Sequence, residues 1–157
     1  MTPIDYFKLQ AKNIFRDYKT KTPYIDKVDG FTYYNYTPKF FDVDRILLEF
    51  GYDEESFTLM KAQHIIALMV GFRKWADLLK ATELELEMAK LLFDHQDKIS
   101  FEDWQHFMAH TIELNNKNFD LENWIEIFKE VFVERGETHH SDFEDYRLKK
   151  QTLRTSP

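Results

Sequence analysis

The sequence has no cysteine, and only four glycines and four prolines occur among its 157 residues. Without cysteine the chain can form no disulfide, no thiolate nucleophile and no cysteine-ligated zinc site. Neither the phosphate-binding pattern G-x-x-x-x-G-K-[ST] nor the dinucleotide-binding pattern G-x-G-x-x-G is present. No serine stands in the G-x-S-x-G context of a nucleophile elbow. The sequence therefore predicts a protein that is not an enzyme and that needs no cofactor.

Long apolar runs are missing as well. The most apolar stretch, residues 65–70, is far too short to span a bilayer. The start of the chain, MTPIDYFKLQ, includes Asp5 and lacks the apolar segment of a signal peptide. These two observations predict a cytoplasmic protein that does not enter a membrane.

Large aromatic side chains are abundant, with 15 Phe, 8 Tyr and 3 Trp. Such rings fill a hydrophobic core quickly, and one domain of this size buries about 70% of its extended surface. Apolar residues become sparse after Gly136. We therefore expect a single helical domain over residues 1–136, followed by a polar C-terminal tail over residues 137–157 that is prone to fraying.

The strongest helical pattern lies in the middle of the chain. It opens at Ser56 or Thr58, either of which can supply an N-cap oxygen. Gly71 suits the left-handed position that ends a helix, and apolar spacing continues through a short helical segment beyond it. Thr82 and Glu85 then form the S/T-x-x-E capping box of a further helix. We predict three helices in this stretch.

Two later segments start alike. Ser100-Phe101-Glu102-Asp103-Trp104 and Asp120-Leu121-Glu122-Asn123-Trp124 each consist of an N-cap, an apolar residue, a glutamate, a polar residue and a tryptophan. The shared pattern predicts two helices that each insert a tryptophan into the core. With helices that begin at Thr2 and at Asp42 or Asp44, the sequence predicts a mainly α fold, a compact bundle of about six helices.

Residues 20–41 differ from the rest, because prolines interrupt them and tyrosines are frequent. Asp29-Gly30 is typical of a type I′ turn, and residues 24–28 and 31–36 on either side have strand-like composition. The sequence therefore predicts a short β-hairpin or an ordered loop near residues 23–37.

Charge is distributed unevenly along the chain. Residues 1–30 carry six basic and four acidic side chains, residues 31–136 carry eleven and twenty, and residues 137–157 carry four of each. The three segments thus have net charges of +2, −9 and 0, which account for the total of −7. The helical body is acidic, and its natural electrostatic partner is a basic surface.

We predict from this charge that the protein docks, without catalysis, on the basic surface of a protein partner. Small acidic proteins of bacterial or phage mobile elements that inhibit or regulate a nucleic-acid-handling protein fit this description. The side chains that we expect on the docking surface are all carboxylates: Asp53, Glu54, Glu55, Glu83, Glu87, Glu122, Glu126 and Glu130.

A single-stranded nucleic-acid binder is one alternative. Rings and cations can stack on bases and follow a single-stranded backbone. Both kinds of side chain are concentrated in residues 19–39, the one locally basic segment, where the candidate contacts are Tyr33, Tyr34, Tyr36, Lys21 and Lys27.

A metal-dependent enzyme is the other alternative. His106 and His110 stand four residues apart on a predicted helix, a spacing that can hold a transition metal together with carboxylates. The pattern is not H-E-x-x-H, because the residue after His106 is Phe107. We expect a solvated helix face here and no metal site.

Two segments resemble a known family. Residues 7–12 (FKLQAK) resemble a K-x-x-A-K start, and residues 61–78 (KAQHIIALMVGFRKWADL) resemble the signature A-L-x-x-x-A-x-x-x-G-(F/Y)-x-x-W-x-x-L. Both occur in a small helical domain found among bacterial proteins related to the glyoxalase superfamily. The resemblance implies a helical module in which the turn from Gly71 to Trp75 is structural. The chain has Lys-Trp-Ala where the family has Asp/Asn-Trp-Asn, and it lacks the paired βαβββ modules and metal ligands of a glyoxalase, so no activity is carried over.

Overall fold

A computed structural model describes residues 1–139 and 145–148, in which the chain forms seven α-helices and one two-stranded sheet. In chain order the elements are α1 (Pro3–Tyr18), β1 (Thr22–Ile25), β2 (Thr32–Asn35), α2 (Val43–Phe50), α3 (Leu59–Met69), α4 (Trp75–Leu79), α5 (Glu83–Asp94), α6 (Phe101–Asn115) and α7 (Leu121–Phe128). The predicted mainly α fold with a short hairpin is confirmed, with seven helices rather than about six. No helix in these ranges combines the length and the apolar character needed to cross a membrane.

Short-range capping determines where the helices begin. The side-chain oxygen of the N-cap residue accepts a backbone N–H three positions later, which satisfies a donor that has no partner inside the helix. The helices that begin in this way have their N-caps at Thr2, Asp42, Thr58, Thr82, Ser100 and Asp120. The capping box of Thr82 and Glu85 is complete. The helix starts predicted from the sequence are therefore confirmed.

Two hydrophobic clusters form the core, and α5 belongs to both. The first cluster joins α5 to α1, α2, α3 and α4 around Phe7, Ile65 and Phe93. The second joins α5 to α6 and α7 around Trp104 and Phe128. Because α5 divides its apolar side chains between the clusters, the two halves of the molecule are assembled on this helix.

The two predicted tryptophans lie in the second cluster. Trp104 and Trp124 are both buried, with ring centroids 5.9 Å apart and an angle of 86° between the ring planes. An edge-to-face arrangement of this kind is favourable for aromatic pairs. The prediction that both helices insert a tryptophan into the core is confirmed.

Among the described residues, one charged side chain is fully buried. Asp17, near the end of α1, is 1% exposed. Its carboxylate accepts the backbone N–H groups of Lys39 (2.9 Å), Phe40 (2.7 Å) and Phe41 (2.8 Å). A buried carboxylate is tolerated when its lone pairs are used in this way. Asp17 therefore fixes the segment that leads from the hairpin into α2.

The predicted hairpin is present, with shorter strands than expected. β1 and β2 pair antiparallel in the register that places Thr22 opposite Asn35 and Ile25 opposite Thr32. The connection between the strands therefore covers residues 26–31.

The predicted type I′ turn at Asp29-Gly30 is wrong. The Asp26 carboxylate accepts the N–H groups of Val28 (2.7 Å) and Asp29 (3.3 Å), and the Asp26 carbonyl accepts the N–H of Gly30 (2.9 Å). These short-range bonds stabilise a longer turn, in which Gly30 takes the left-handed conformation with φ +74°.

The last predicted helix, residues 120–135, is divided in two. α7 is followed by π-helical turns over Lys129–Glu134, in which backbone hydrogen bonds reach five residues back instead of four. Val131 and Phe132 are both buried in this wider segment. The predicted helical segment is therefore present over nearly its whole length, but its second part is a π-helix and not an α-helix.

Part of the predicted C-terminal tail is docked on the helical body. The Tyr146 carbonyl accepts the N–H of Asp42 (2.9 Å), and the Leu148 N–H donates to the Phe40 carbonyl (2.9 Å). These tail residues are held by backbone pairing, so the fraying expected of a polar tail does not apply to them. Residues 140–144 and 149–157 of the predicted tail lie outside the described residues.

Tyr146 predicts a pH dependence of stability. Burial and a hydrogen bond from its hydroxyl to the Glu49 carboxylate (2.9 Å) raise its pKa from 10.0 to about 12. Because the folded state holds this proton more tightly than the unfolded state, the stabilisation is complete below pH 10 and is lost as the pH rises towards 12. We expect the free energy of unfolding to fall over this interval, and to fall less steeply in Tyr146→Phe. Urea titrations below and within the interval measure both slopes, and equal slopes would contradict the assignment.

Candidate functional site

The eight carboxylates predicted as a docking surface occupy two separate places. The first set, between α2 and α3, comprises Asp53, Glu54 and Glu55. The second set, on α5, α7 and the π-helical turns, comprises Glu83, Glu87, Glu122, Glu126 and Glu130.

Helix α1 separates the two sets. The Tyr18 hydroxyl at the end of α1 donates to the Glu54 carbonyl (2.6 Å). Pro3 at the start of α1 lies beside Glu83 and Glu87. A helix rises about 1.5 Å per residue, so α1, with 16 residues, is roughly 24 Å long. Glu54 lies near one end of it, and Glu83 and Glu87 lie near the other. The predicted surface is therefore not continuous.

Two carboxylates beside the hairpin accept hydrogen bonds from tyrosine hydroxyls. Glu54 accepts the hydroxyl of Tyr36 (2.7 Å), and Glu55 accepts the hydroxyl of Tyr34 (3.1 Å). Burial and the bond to Glu54 raise the pKa of Tyr36. The Lys21 ammonium lies 4.6 Å from the centre of the Tyr34 ring and donates to the Glu54 carbonyl (2.6 Å). This network fastens the hairpin to the connection between α2 and α3.

The structure divides the residues predicted for single-strand binding. Tyr34, Tyr36 and Lys21 belong to this network, where their polar groups face two glutamates. A phosphate backbone that followed these three residues would meet those carboxylates, and like charges repel. Tyr33 and Lys27 lie instead on the exposed part of the hairpin. The five candidates therefore do not form one surface.

The second set of carboxylates forms an exposed face across α5 and α7. We call it the glutamate face, and its members are Glu83, Glu87, Glu122, Glu126 and Glu130. The Lys129 ammonium lies 3.0 Å from the Glu87 carboxylate and 4.0 Å from the Glu126 carboxylate, so it links the two helices. The hydrogen bond to Glu87 raises the pKa of Lys129. Five carboxylates and one ammonium group leave the face strongly negative.

The carboxylates of the glutamate face are accessible. The Glu126 side chain retains 71% of its exposure even beside Lys129. Glu83, Glu122 and Glu130 make no ion pair or side-chain hydrogen bond with the other residues that the structure describes. Their charge is therefore not compensated within the described chain.

Sequence reasoning missed two members of this surface. Glu134 continues the four-residue spacing of Glu122, Glu126 and Glu130, and it is exposed. Residues four apart share one side of an α-helix, and the spacing was therefore the signal available in the sequence, although Glu130 and Glu134 lie in the π-helical turns. Val133, which precedes Glu134 in the chain, is 43% exposed and offers an apolar side chain near the acidic residues.

The predicted metal candidates lie on a solvated helix side. His106 and His110 are exposed and stand one turn apart on α6. A protein zinc site takes three or four side-chain ligands. Within residues 1–139 and 145–148, no group of three or more histidine and carboxylate side chains is arranged to hold a metal ion.

A groove of about 270 Å³ lies where the two hydrophobic clusters meet. Its lining is mainly apolar, from Phe50, Met69 and Phe101. Two carboxylates, Glu49 and Glu102, also line it. Glu49 accepts hydrogen bonds from Arg45 (2.7 Å) and from the Tyr146 hydroxyl. The Ser100 hydroxyl, also in the lining, accepts the backbone N–H of Asp103 as the N-cap of α6. The groove thus offers mainly shape and apolar contact.

Comparison of this chain with protein-family models, with curated proteins and with solved structures found no match. The resemblance to the helical domain of glyoxalase-related proteins stays a prediction. The function of this chain must therefore be argued from its own residues.

Proposed function

We propose that this protein is a non-enzymatic acidic interaction protein that docks on the basic surface of a protein partner. The partner that fits best is a nucleic-acid-handling protein, whose cationic groove would accept the carboxylates in place of phosphates. Docking in that groove would inhibit or regulate the partner.

One observation carries this proposal, namely the accessible charge of the glutamate face. Exposed glutamates on α5, on α7 and in the π-helical turns present spaced negative charges. Lys129 contacts two of them, and Lys90, which is paired with Asp94, lies beside Glu83 and Glu87. Complementary potentials accelerate encounter and select the partner by its charge. Val133 supplies an apolar contact of the kind that charged rims usually surround.

The two alternatives have weaker geometric support. Single-strand binding would use tyrosines whose hydroxyls are bound to Glu54 and Glu55. Metal-dependent catalysis would use His106 and His110, to which the described residues add no third ligand. The glutamate face, in contrast, needs no rearrangement before it meets a partner.

We expect neutralisation of the glutamate face to abolish capture of the partner. The test variant is Glu122→Gln/Glu126→Gln/Glu130→Gln, and the matched control is Asp5→Asn/Glu102→Gln/Glu113→Gln, which changes the net charge equally at exposed positions on α1 and α6. Each protein is immobilised and exposed to a bacterial lysate at low and at high salt, and retained proteins are identified by mass spectrometry.

A basic protein that the wild type and the control retain at low salt, and that the test variant does not, is the expected result. Added heparin or single-stranded DNA should release it, because both compete for the same cationic groove. If no protein distinguishes the wild type from the test variant, the glutamate face is not a docking surface.

A further inference from the structure

The hairpin extends from the helical body with most of its surface uncovered. Its strands are exposed along almost their whole length, and Ile25, Val28 and Phe31 are 70%, 96% and 67% exposed. A two-stranded sheet is marginal in water and is stabilised when further strands or a packed face are added. Pairing with a strand of another chain would therefore stabilise the hairpin.

The turn determines which backbone groups point outward. The first pair beside the turn is hydrogen-bonded, because the Asp26 N–H donates to the Phe31 carbonyl (3.0 Å). Hydrogen-bonded and non-hydrogen-bonded pairs alternate along an antiparallel ladder. The next pair, Ile25 with Thr32, is therefore not hydrogen-bonded. The N–H and C=O groups of these two residues point away from the opposite strand.

The two outer edges of the hairpin are unequal. By the same alternation, Pro23 and Tyr34 also point their backbone groups outward. Proline has no N–H, so β1 offers only the donor of Ile25, whereas β2 offers those of Thr32 and Tyr34. In the part of the chain that the structure describes, these two N–H groups and their carbonyls have no hydrogen-bond partner. Proline protects edge strands against pairing, so β2 is the open edge.

We propose that β2 pairs antiparallel with β2 of a second copy of this chain, so that two hairpins form one four-stranded sheet. An antiparallel strand pair is symmetric under a two-fold rotation, and the same edge therefore serves on both copies. Because the β1 edge is blocked by Pro23, association stops at the dimer and does not continue into a filament.

The exposed rings fit this pairing. Tyr24 and Tyr33 already lie opposite each other across the hairpin, with ring centroids 5.9 Å apart. A register centred on Tyr33 puts the outward N–H of Thr32 opposite the outward carbonyl of Tyr34 in the second copy. It also brings the two copies of Tyr33 side by side, which extends the ring pair into a ladder of four tyrosines on one side of the sheet. Aromatic cross-strand pairs of this kind stabilise a sheet.

Charge at the hairpin permits a second copy there. Asp26 and Asp29 accept hydrogen bonds within the hairpin, from backbone N–H groups and from the Tyr33 hydroxyl. They keep their negative charges, which Lys27 offsets in part, so the connection over residues 26–31 carries a net charge of −1. The β2 strand itself, Thr32–Asn35, contains no ionisable group except tyrosine. Each chain carries −7 in total, so salt should strengthen the dimer by screening the two bodies from each other. This dependence is opposite in sign to that of docking on a basic partner, and the dimer does not rest on the proposed function.

Sedimentation velocity over a range of concentrations tests the dimer. We expect the mass to rise from 19.1 kDa towards twice that value, and to do so at lower concentration in high salt. An interface made by one strand pair is small, so the range must extend to near-millimolar protein. Thr32→Pro removes an outward donor from the open edge, and Ile25→Pro removes its counterpart on the same rung of the blocked edge. Loss of one hydrogen bond per copy should weaken the dimer by at least about tenfold in Thr32→Pro and leave it unchanged in Ile25→Pro.

Amide hydrogen exchange of the wild type gives a test that does not depend on how a proline variant folds. The amides of Thr32 and Tyr34 should become more protected as concentration rises, whereas that of Ile25 should not. A chain that stays at 19.1 kDa throughout, or a dimer that Thr32→Pro and Ile25→Pro affect equally, would overturn the proposal.

Discussion

Replacing Asp17 by alanine is expected to lower the free energy of unfolding by about 3–5 kcal/mol, since it leaves one buried and two half-buried N–H donors without their acceptor, at about 1–3 kcal/mol for each fully buried donor. The donors are the backbone N–H groups of Lys39, Phe40 and Phe41, at 2.7–2.9 Å from the carboxylate. Alanine supplies no acceptor for any of them. Urea unfolding followed by circular dichroism measures the loss.

Two further variants separate the carboxylate from its surroundings. Asp17→Asn keeps one acceptor oxygen but turns an NH₂ group towards one of the N–H groups, so we expect an intermediate loss of about 2 kcal/mol. Asp5→Ala removes an exposed acid from the first turn of the same helix, and we expect less than about 1 kcal/mol from it. If Asp17→Ala is no more destabilising than Asp5→Ala, the three hydrogen bonds do not hold the fold together.

Loss of the Asp17 carboxylate should also weaken the docking of the tail at Leu148. The segment that it holds includes Phe40, whose carbonyl accepts the Leu148 N–H at 2.9 Å. In Asp17→Asn the amide of Leu148 should exchange faster than in the wild type, whereas amides of the second hydrophobic cluster should not. This comparison separates local release of the tail from general destabilisation.

Gly71→Ala is expected to destabilise the protein by about 2–5 kcal/mol, the sum of a left-handed conformation at roughly 1–2 kcal/mol and overpacking at about 1–3 kcal/mol. Gly71 has φ +96°, and a Cβ there would lie 2.5 Å from a ring carbon of Phe101. The glycine ends α3, where the N–H of Phe72 donates to the carbonyl of Ala67 (2.9 Å) in the manner of a Schellman motif. The added methyl group would push α6 away from α3.

Gly51→Ala is the matched control for Gly71→Ala. Gly51 ends α2 with φ +74°, the N–H of Tyr52 donates to the carbonyl of Leu47 (2.9 Å), and no atom lies within 4 Å of an added Cβ. This variant has the strained backbone without the collision, so we expect a loss of about 1–2 kcal/mol. Equal losses in thermal or urea unfolding would show that the contact with Phe101 contributes nothing.

The sequence alone predicts part of the role of Gly71 and none of the role of Asp17. Gly71 as a helix end could be predicted, because apolar spacing stops there and glycine is the usual residue at that position. Its contact with Phe101 could not, since the two residues belong to helices that meet only in the folded chain. The same holds for Asp17, whose partners lie more than twenty residues away.

The fold was predictable where one short segment determines the outcome. N-caps such as Thr82, Ser100 and Asp120 act over three residues, and all three were found. The hairpin turn failed because Asp26 caps a longer turn that competes with the Asp-Gly dipeptide. The docking of Tyr146 depends on contacts with Asp42 and Glu49, which no local pattern reports.

The sequence predicted which kinds of residue form the candidate site better than it predicted where those residues lie. Net charge identified the acidic body, and five of the eight predicted carboxylates lie on α5, α7 and the π-helical turns, where Lys129 joins Glu87 to Glu126. Glu54 and Glu55 were grouped with them because sequence gives no distance between segments. In the structure they bind Tyr36 and Tyr34 instead, so composition alone overstated the size of the surface.

The salt dependence of the dissociation constant for the captured partner tests the central claim most directly. Calorimetric titrations with purified partner would compare the wild type, Glu122→Gln/Glu126→Gln/Glu130→Gln and Asp5→Asn/Glu102→Gln/Glu113→Gln at several salt concentrations. Surface charges are screened over about 10 Å at 0.1 M ionic strength, so we predict that affinity falls with salt for the wild type and the control and is lost in the first variant. Equal dissociation constants for all three proteins would contradict the claim that other molecules meet this chain through its glutamate face.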